Sequence, residues 1–200
     1  MQASSLRFET LSGPALTEQL DLLGHLRIQV FREWPYLYEG DAAHEARYLA
    51  DYAQSPGALV VAAFTPDGAA VGMATCQPAT EASTAVRQAL TGAGFDLARV
   101  CYFGESVLLP AYRGQGAGLR FFAEREAHAR QLGLGIAAFC AVVRNENDPR
   151  KPRDYTPLND FWRKRGYTPR PDISVVFNWR EVQEARETPH ALSFWMRELS

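Results

Sequence analysis

The stretch Val107-Leu108-Leu109-Pro110-Ala111-Tyr112-Arg113-Gly114-Gln115-Gly116-Ala117-Gly118-Leu119 decides how the rest of this 200-residue chain is read. It leaves an apolar run, turns through Pro110 and the glycines 114, 116 and 118, and enters a segment whose Leu119, Phe122, Ala123 and Ala127 share a helical face. The order is strand, turn, helix. Glycines admit positive φ and carry no Cβ, so successive amides in such a turn can close on an anion, and the helix start adds partial positive charge. A phosphate or pyrophosphate cradle is expected here. The competing reading is a turn whose glycines serve close packing alone. Glu126 falls on the helix's apolar face, where the sequence names no partner for it.

Spacing separates the nucleotide folds that use such a turn. No Lys-Ser or Lys-Thr pair follows Gly118, so the phosphate loop of the NTPases is absent. Gly114 and Gly116 could open a dinucleotide fingerprint, but Leu119 holds the place of its third glycine and no acidic residue ends the next apolar run.

Working outward, Arg99 to Leu109 reads as a strand, Gln115 to Leu132 as a helix, and Ile136 to Val143 as a strand buried on both faces, together a β-α-β unit. Upstream, Ser5 to Thr10 is a first strand. Gly13-Pro14 breaks it before an apolar helix carrying Leu20, Leu23, Leu26, Ile28 and Val30, which Trp34-Pro35 ends. Asp41 caps a second helix reaching about Tyr52, closed by Ser55-Pro56-Gly57. Ala58 to Phe64 and Ala70 to Cys76 form a hairpin about Pro66-Asp67-Gly68, and Ala82 to Leu90 is an inserted helix. A polar connection from Arg144 to Pro157 leads to a short helix at Leu158 to Arg165, then strands at Ile173 to Trp179 and Ala191 to Met196. The sum is an α/β (α+β) fold with a mixed sheet of about six to seven strands flanked by helices, in one domain over residues 1–200.

Composition narrows the function. With 21 Lys and Arg against 23 Asp and Glu, a formal charge of −2 leaves no electrostatic footprint for nucleic acid. Three cysteines, Cys76, Cys101 and Cys140, lie far apart in apolar runs, which speaks against a disulfide framework or a zinc site, and the four histidines show no paired ligand spacing, so no metal is expected. Met1 to Ser12 lack a basic start followed by an apolar stretch, and no apolar run approaches a membrane span. A cytoplasmic protein without membrane contact is expected.

Arg113-x-x-Gly116-x-Gly118, placed six residues after Val107, resembles the acyl-CoA-binding motif of the GCN5-related N-acetyltransferases. Asn159-Asp160-Phe161-Trp162-Arg163-Lys164-Arg165-Gly166-Tyr167 is similar to the family's closing segment of Asn, aromatic pair and Gly-aromatic. The resemblance spans roughly residues 58–176, with 16–52 in the place of the family's acceptor-side helices. It implies that fold, acetyl-CoA as cofactor, and direct transfer of an acetyl or other short acyl group to an amine of a small molecule or peptide. It further implies that the strand before the turn splays from its parallel neighbour with pantetheine in the gap. Val107 and Leu109 would then offer backbone contacts, Leu108, Arg113, Gly114, Gln115, Gly116, Ala117 and Gly118 would complete the cofactor site, and Asn159 and Trp162 would flank it.

Acyl transfer needs a neutral nucleophile, oxyanion stabilisation and a proton for the thiolate. Glu105 shares a strand face with Val107 and Leu109 and is the candidate base; the alternatives are a paired structural acid or a site for the acceptor's ammonium. The family's usual proton donor is a Tyr whose place Trp162 holds, and indole supplies no acidic proton. Tyr155 is the substitute and Tyr167 a weaker one, unless the thiolate leaves unassisted. Cys140 lacks a sequence-adjacent base and is read as packing. Arg32, Glu33, Tyr36 and Tyr38 are candidates for acceptor choice, against the reading that these aromatics staple the helix pair to the sheet. Arg144 to Arg153 is a lid or a solvated loop. Phe177, Trp179, Phe194 and Trp195 are core by default and an interface if exposed, leaving monomer or homodimer open. A module that senses acyl-CoA without turnover is the alternative function.

Overall fold

The computed structural model describes residues 6–200. Seven strands, β1 (Arg7–Leu11), β2 (Leu59–Phe64), β3 (Ala70–Pro78), β4 (Val100–Leu108), β5 (Ile136–Val142), β6 (Thr168–Trp179) and β7 (Thr188–Glu198), form one sheet in the order β1-β2-β3-β4-β5-β7-β6. Neighbours are antiparallel except β4 and β5, which are parallel. The helices are α1 (Gly13–Thr17), α2 (Leu20–Phe31), α3 (Ala42–Gln54), α4 (Thr84–Gly92), α5 (Ala117–Gln131) and α6 (Asn159–Arg163).

Local chemistry places most boundaries. Asp41 caps α3 by accepting from the His44 amide at 2.9 Å. Gly68, at φ +92°, closes the β2–β3 hairpin by donating to the Thr65 carbonyl. The first strand ends before Gly13-Pro14, and Pro14 stands in the first turn of a short helix, α1, where its missing N–H has no helical acceptor to lose. The first strand runs from Arg7 to Leu11, and Ser5 lies outside the described residues. The last two strands are longer than expected, and β7 enters between β5 and β6. Leu192, Phe194, Trp195 and Met196 of β7 are buried, whereas β6 carries Pro169, Pro171 and an exposed Val176, as suits an edge strand.

One sheet face packs on α5 through Phe103, Phe122, Phe139, Tyr167 and Trp195. On the other face α1, α2 and α3 cover β1 to β4 through Leu16, Leu23, Leu26, Leu49 and Val107, while α4 packs Val86 and Leu90 against Val100, Tyr102, Ile173 and Phe194. Glu126 finds its partners here: Tyr167 donates to it at 2.9 Å and Arg197 at 3.0 Å, which satisfies a carboxylate on an apolar helix face.

Two irregularities make the site. Ala74 opposes Ser106 and Cys76 opposes Phe103, so Gly104 and Glu105 together face Thr75, a β-bulge that bends β4. A Cβ on Gly104 would run into Tyr52 Oη and Thr75 Oγ1, so the bulge needs glycine there. Beyond it, β4 and β5 part. They pair at Val100–Ile136, Cys101–Ala137 and Tyr102–Ala138, although the strands continue to Leu108 and Val142.

Candidate active site

The turn from Arg113 to Gly118 lies at the open end of that gap. Gly114 (φ +75°) and Gly116 (φ +88°) hold the left-handed conformation, and Gly116 caps α5. Among the described residues the amides of Gly114 to Leu119 donate to no protein acceptor; the first helical bond of α5 runs from Arg120 N to Gly116 O at 3.1 Å. These amides head a 15-residue helix, whose dipole adds positive potential at the same place. Packing explains the third glycine alone, since a Cβ on Gly118 would stand 3.2 Å from the Phe161 ring, while Gly114 and Gly116 face open space. Gln115 turns its side chain back to the Ala111 carbonyl, and Arg113 bridges Leu108 O and Glu33 at 3.1 Å each.

The strand amides correct one expectation. Leu109 N donates to Val71 O at 2.9 Å, so its amide belongs to the β3 ladder. Antiparallel pairs alternate between bonded and non-bonded, and Val107, opposite Met73, takes the same direction. The amides of Val107 and Leu109 are therefore turned away from the gap. Those of Ser106 and Leu108 point into it, and the Leu108 carbonyl already meets Arg113 there.

Glu105 is one corner of a buried charge cluster on the α2–α3 side. Its Oε2 lies 2.6 Å from Arg27 Nη1 and accepts from Tyr48 Oη at 2.6 Å, while its Oε1 is buried without a donor. Arg27 Nε donates to Glu45, and Tyr38 Oη donates to the other oxygen of Glu45 at 2.8 Å. Burial alone would push the Arg27 guanidinium toward neutrality; the Glu105 carboxylate and then the Tyr48 and Glu45 groups reverse this and hold it well above its usual range. Burial, followed by Glu105, keeps the Tyr48 hydroxyl protonated. Tyr36 is likewise raised by burial, with the Cys140 thiol and Glu105 near enough to add to it and Tyr155 adding a smaller push.

The candidates thus divide. Tyr36 and Tyr38 turn toward the cluster, whereas Arg32 pairs with Glu39 and Glu33 with Arg113 at the exposed rim. Tyr155 is half-buried with its ring edge on Trp34, and burial raises its hydroxyl. Trp162 packs between Phe139 and Trp195, at 5.0 Å from each. Asn159 is exposed on the first turn of α6 and makes no capping bond. Cys140 meets Tyr102 Oη at 3.1 Å, and burial pushes its thiol up to about 11. The Arg144 connection is anchored: Arg144 donates to Tyr36 O at 2.8 Å and to Pro35 O, and with Arg150 it grips the buried Glu181.

Sequence reading passed over Arg27, Glu45, Tyr48, Arg125 and Glu181. A signal existed for the first two, since each is a charged residue on the apolar face of a helix, beside Leu23 and Leu26 or before Leu49 and Tyr52. Nothing local marks Glu181, whose two arginine partners are more than thirty residues away.

Known proteins share this fold. No curated protein matches the chain by sequence. Among solved structures, yncA of Salmonella typhimurium, solved with its cofactor acetyl-CoA, superposes with a TM-score of 0.60 at 13% identity over 98% of this chain and 95% of that one. An N-acetyltransferase of Staphylococcus aureus Mu50 gives 0.63 at 9% over 98% and 100%. An acetyltransferase of the GNAT family from Streptococcus pneumoniae gives 0.57 at 13% over 97% and 99%. The model of the acetyltransferase (GNAT) family matches residues 27–153, from the arginine of the buried cluster through the splayed strands and the glycine turn, and the chain belongs to that family.

Proposed function

We propose that the chain is an acetyl-CoA-dependent N-acetyltransferase that moves an acetyl or other short acyl group to an amine of a small molecule or peptide, with both substrates bound at once. The observation that carries this reading is the row of amides from Gly114 to Gly118, free of protein acceptors, opening on the gap between β4 and β5. These residues fit the cofactor. Gly114, Gln115, Gly116, Ala117 and Gly118 would hold the diphosphate by their N–H groups, with Arg113 beside them, and Ser106 and Leu108 would pair with the pantetheine arm, flanked by Asn159 and Trp162. Bound acetyl-CoA supplies a thioester, an acyl carbonyl open to attack by an amine and a thiol that can leave.

The chain's own groups do the rest. Glu105 Oε1, the oxygen without a donor, takes the proton of the acceptor nitrogen. Arg27 and Tyr48 hold its other oxygen and fix its direction. Tyr155, kept protonated by burial, is the group that returns a proton to the thiolate. Tyr36 and Tyr38 shape the acceptor side. We place the whole chain, residues 1–200, as one domain acting in the cytoplasm as a monomer or homodimer.

One observation favours the sensor reading: Trp162, in the place of the usual Tyr, is packed between two aromatics, and Glu105 is tied to Arg27. Thiol release from acetyl-CoA across a broad amine panel separates the two. Turnover with any amine supports transfer, and tight CoA binding without turnover supports the sensor. Retention on a dinucleotide matrix and none on a CoA matrix overturns both.

A further inference from the structure

Two carboxylates share one guanidinium beneath the acceptor loop. The side chains of Glu45, Glu105 and Arg27 are 0%, 6% and 10% exposed, and Arg27 is in contact with both acids. Tyr38 and Tyr48 add hydroxyl donors and no charge. With both acids ionised the cluster carries one negative charge in excess, which is costly in a buried place unless a cation meets it. Of the four carboxylate oxygens, Glu105 Oε1 is the one that accepts from no donor among the described residues.

The neighbouring guanidinium groups are engaged elsewhere. Arg144 and Arg150 serve Glu181, Arg32 serves Glu39, and Arg113 serves Glu33. Arg125 gives its donors to the backbone oxygens of Phe121, Thr75 and Glu105. The Tyr48 ring, whose hydroxyl bonds Glu105, also attracts a cation by its face, as the Arg27 guanidinium 4.1 Å from its centroid illustrates.

Resting on the acyl-transfer reading above, we infer that the acceptor is a cationic amine with no carboxylate beside its reacting nitrogen, an alkyl or aralkyl amine or a diamine rather than an α-amino acid, and that the Glu45–Glu105–Arg27 cluster selects it by charge. An acceptor carboxylate would face two acids whose guanidinium is already taken.

Matched acceptors test this on the whole chain at saturating acetyl-CoA. We expect kcat/KM for pentylamine to exceed that for norleucine, its carboxylated counterpart with the same single nitrogen, by about tenfold or more, the ratio that 1.4 kcal/mol of charge discrimination gives. An alkyltrimethylammonium ion should compete with the amine about tenfold better than its neutral carbon isostere. Glu45→Gln, which leaves Arg27 and Glu105 in place, should raise KM for pentylamine about tenfold and move KM for norleucine less, since the ammonium's lost attraction is there offset by the carboxylate's lost repulsion. The wild-type comparisons stand even if that variant does not fold. Equal or faster transfer to the carboxylated acceptor, or equal inhibition by the neutral isostere as expected if the two acids share a proton, overturns the inference. Transfer to no amine at all overturns instead the reading on which it rests.

Discussion

Arg125 Nη1 donates to the backbone oxygen of Glu105 at 3.2 Å from the α5 side of the sheet, while the carboxylate of Glu105 points to the opposite side. The same nitrogen reaches Thr75 O at 3.3 Å, so one buried guanidinium spans both strands at the bulge. Arg125→Met would keep the volume and strip these carbonyls of their donor. The expected cost is about 2 kcal/mol, the penalty for leaving buried acceptors unpaired, with a fall in turnover as Glu105 loses its bearing. Urea denaturation beside steady-state kinetics measures both, and unchanged stability would show that the bulge holds itself.

The strand amides make a sharper prediction by hydrogen exchange. Val107 and Leu109, bonded toward β3, should exchange slowly with or without ligand. Ser106 and Leu108 face the gap, so they should exchange fast in the free protein and slow on adding CoA. Protection appearing at Val107 and Leu109 would reverse the assignment.

Gly116→Ala costs about 1–2 kcal/mol of left-handed strain at φ +88°, with open space for the methyl group. Gly116→Asp adds a carboxylate among the amides proposed for the diphosphate and should abolish CoA binding in calorimetry. Wild-type affinity in the aspartate variant would remove the cradle.

Glu105→Gln should lower turnover at neutral pH while CoA affinity stays within about threefold, because the substitution changes the acceptor side alone. A pH–rate profile identical to wild type would leave Glu105 as a paired structural acid.

His190 sets an acid limit on stability. Its ring stacks on Trp179 at 3.8 Å and stands 3.5 Å from Glu181, with Arg144 and Arg150 on the same carboxylate. Burial lowers its pKa below 6.5. As pH falls through 6.5 the unfolded chain binds a proton that the folded chain refuses, so stability present above that value is lost as the pH drops further. Urea midpoints at pH 7.5 and 5.5 should diverge in the wild type and diverge less in His190→Gln.

Legibility in the sequence followed the range of the interactions. The glycine turn was readable because strand, turn and helix signals are local: Gly114 and Gly116 need positive φ whatever surrounds them, and the free amides follow from the helix start. The hairpin about Gly68 and the Asp41 cap were readable for the same reason. Side-chain alternation correctly put Glu105 and Val107 on one face. It could not say which backbone groups face the gap, since that depends on the register with β3, where Leu109 pairs with Val71.

From the amino-acid order alone came the mixed α/β architecture, the glycine turn that opens α5 and the family resemblance, each written in neighbouring residues. Only tertiary structure decided that Arg27 would join Glu45, 18 positions on, to Glu105, and that Arg144 would fasten Tyr36 from 108 positions away. Charge pairs buried between helix and sheet depend on how the elements dock, and docking is set by the sum of many contacts that no short window of sequence contains.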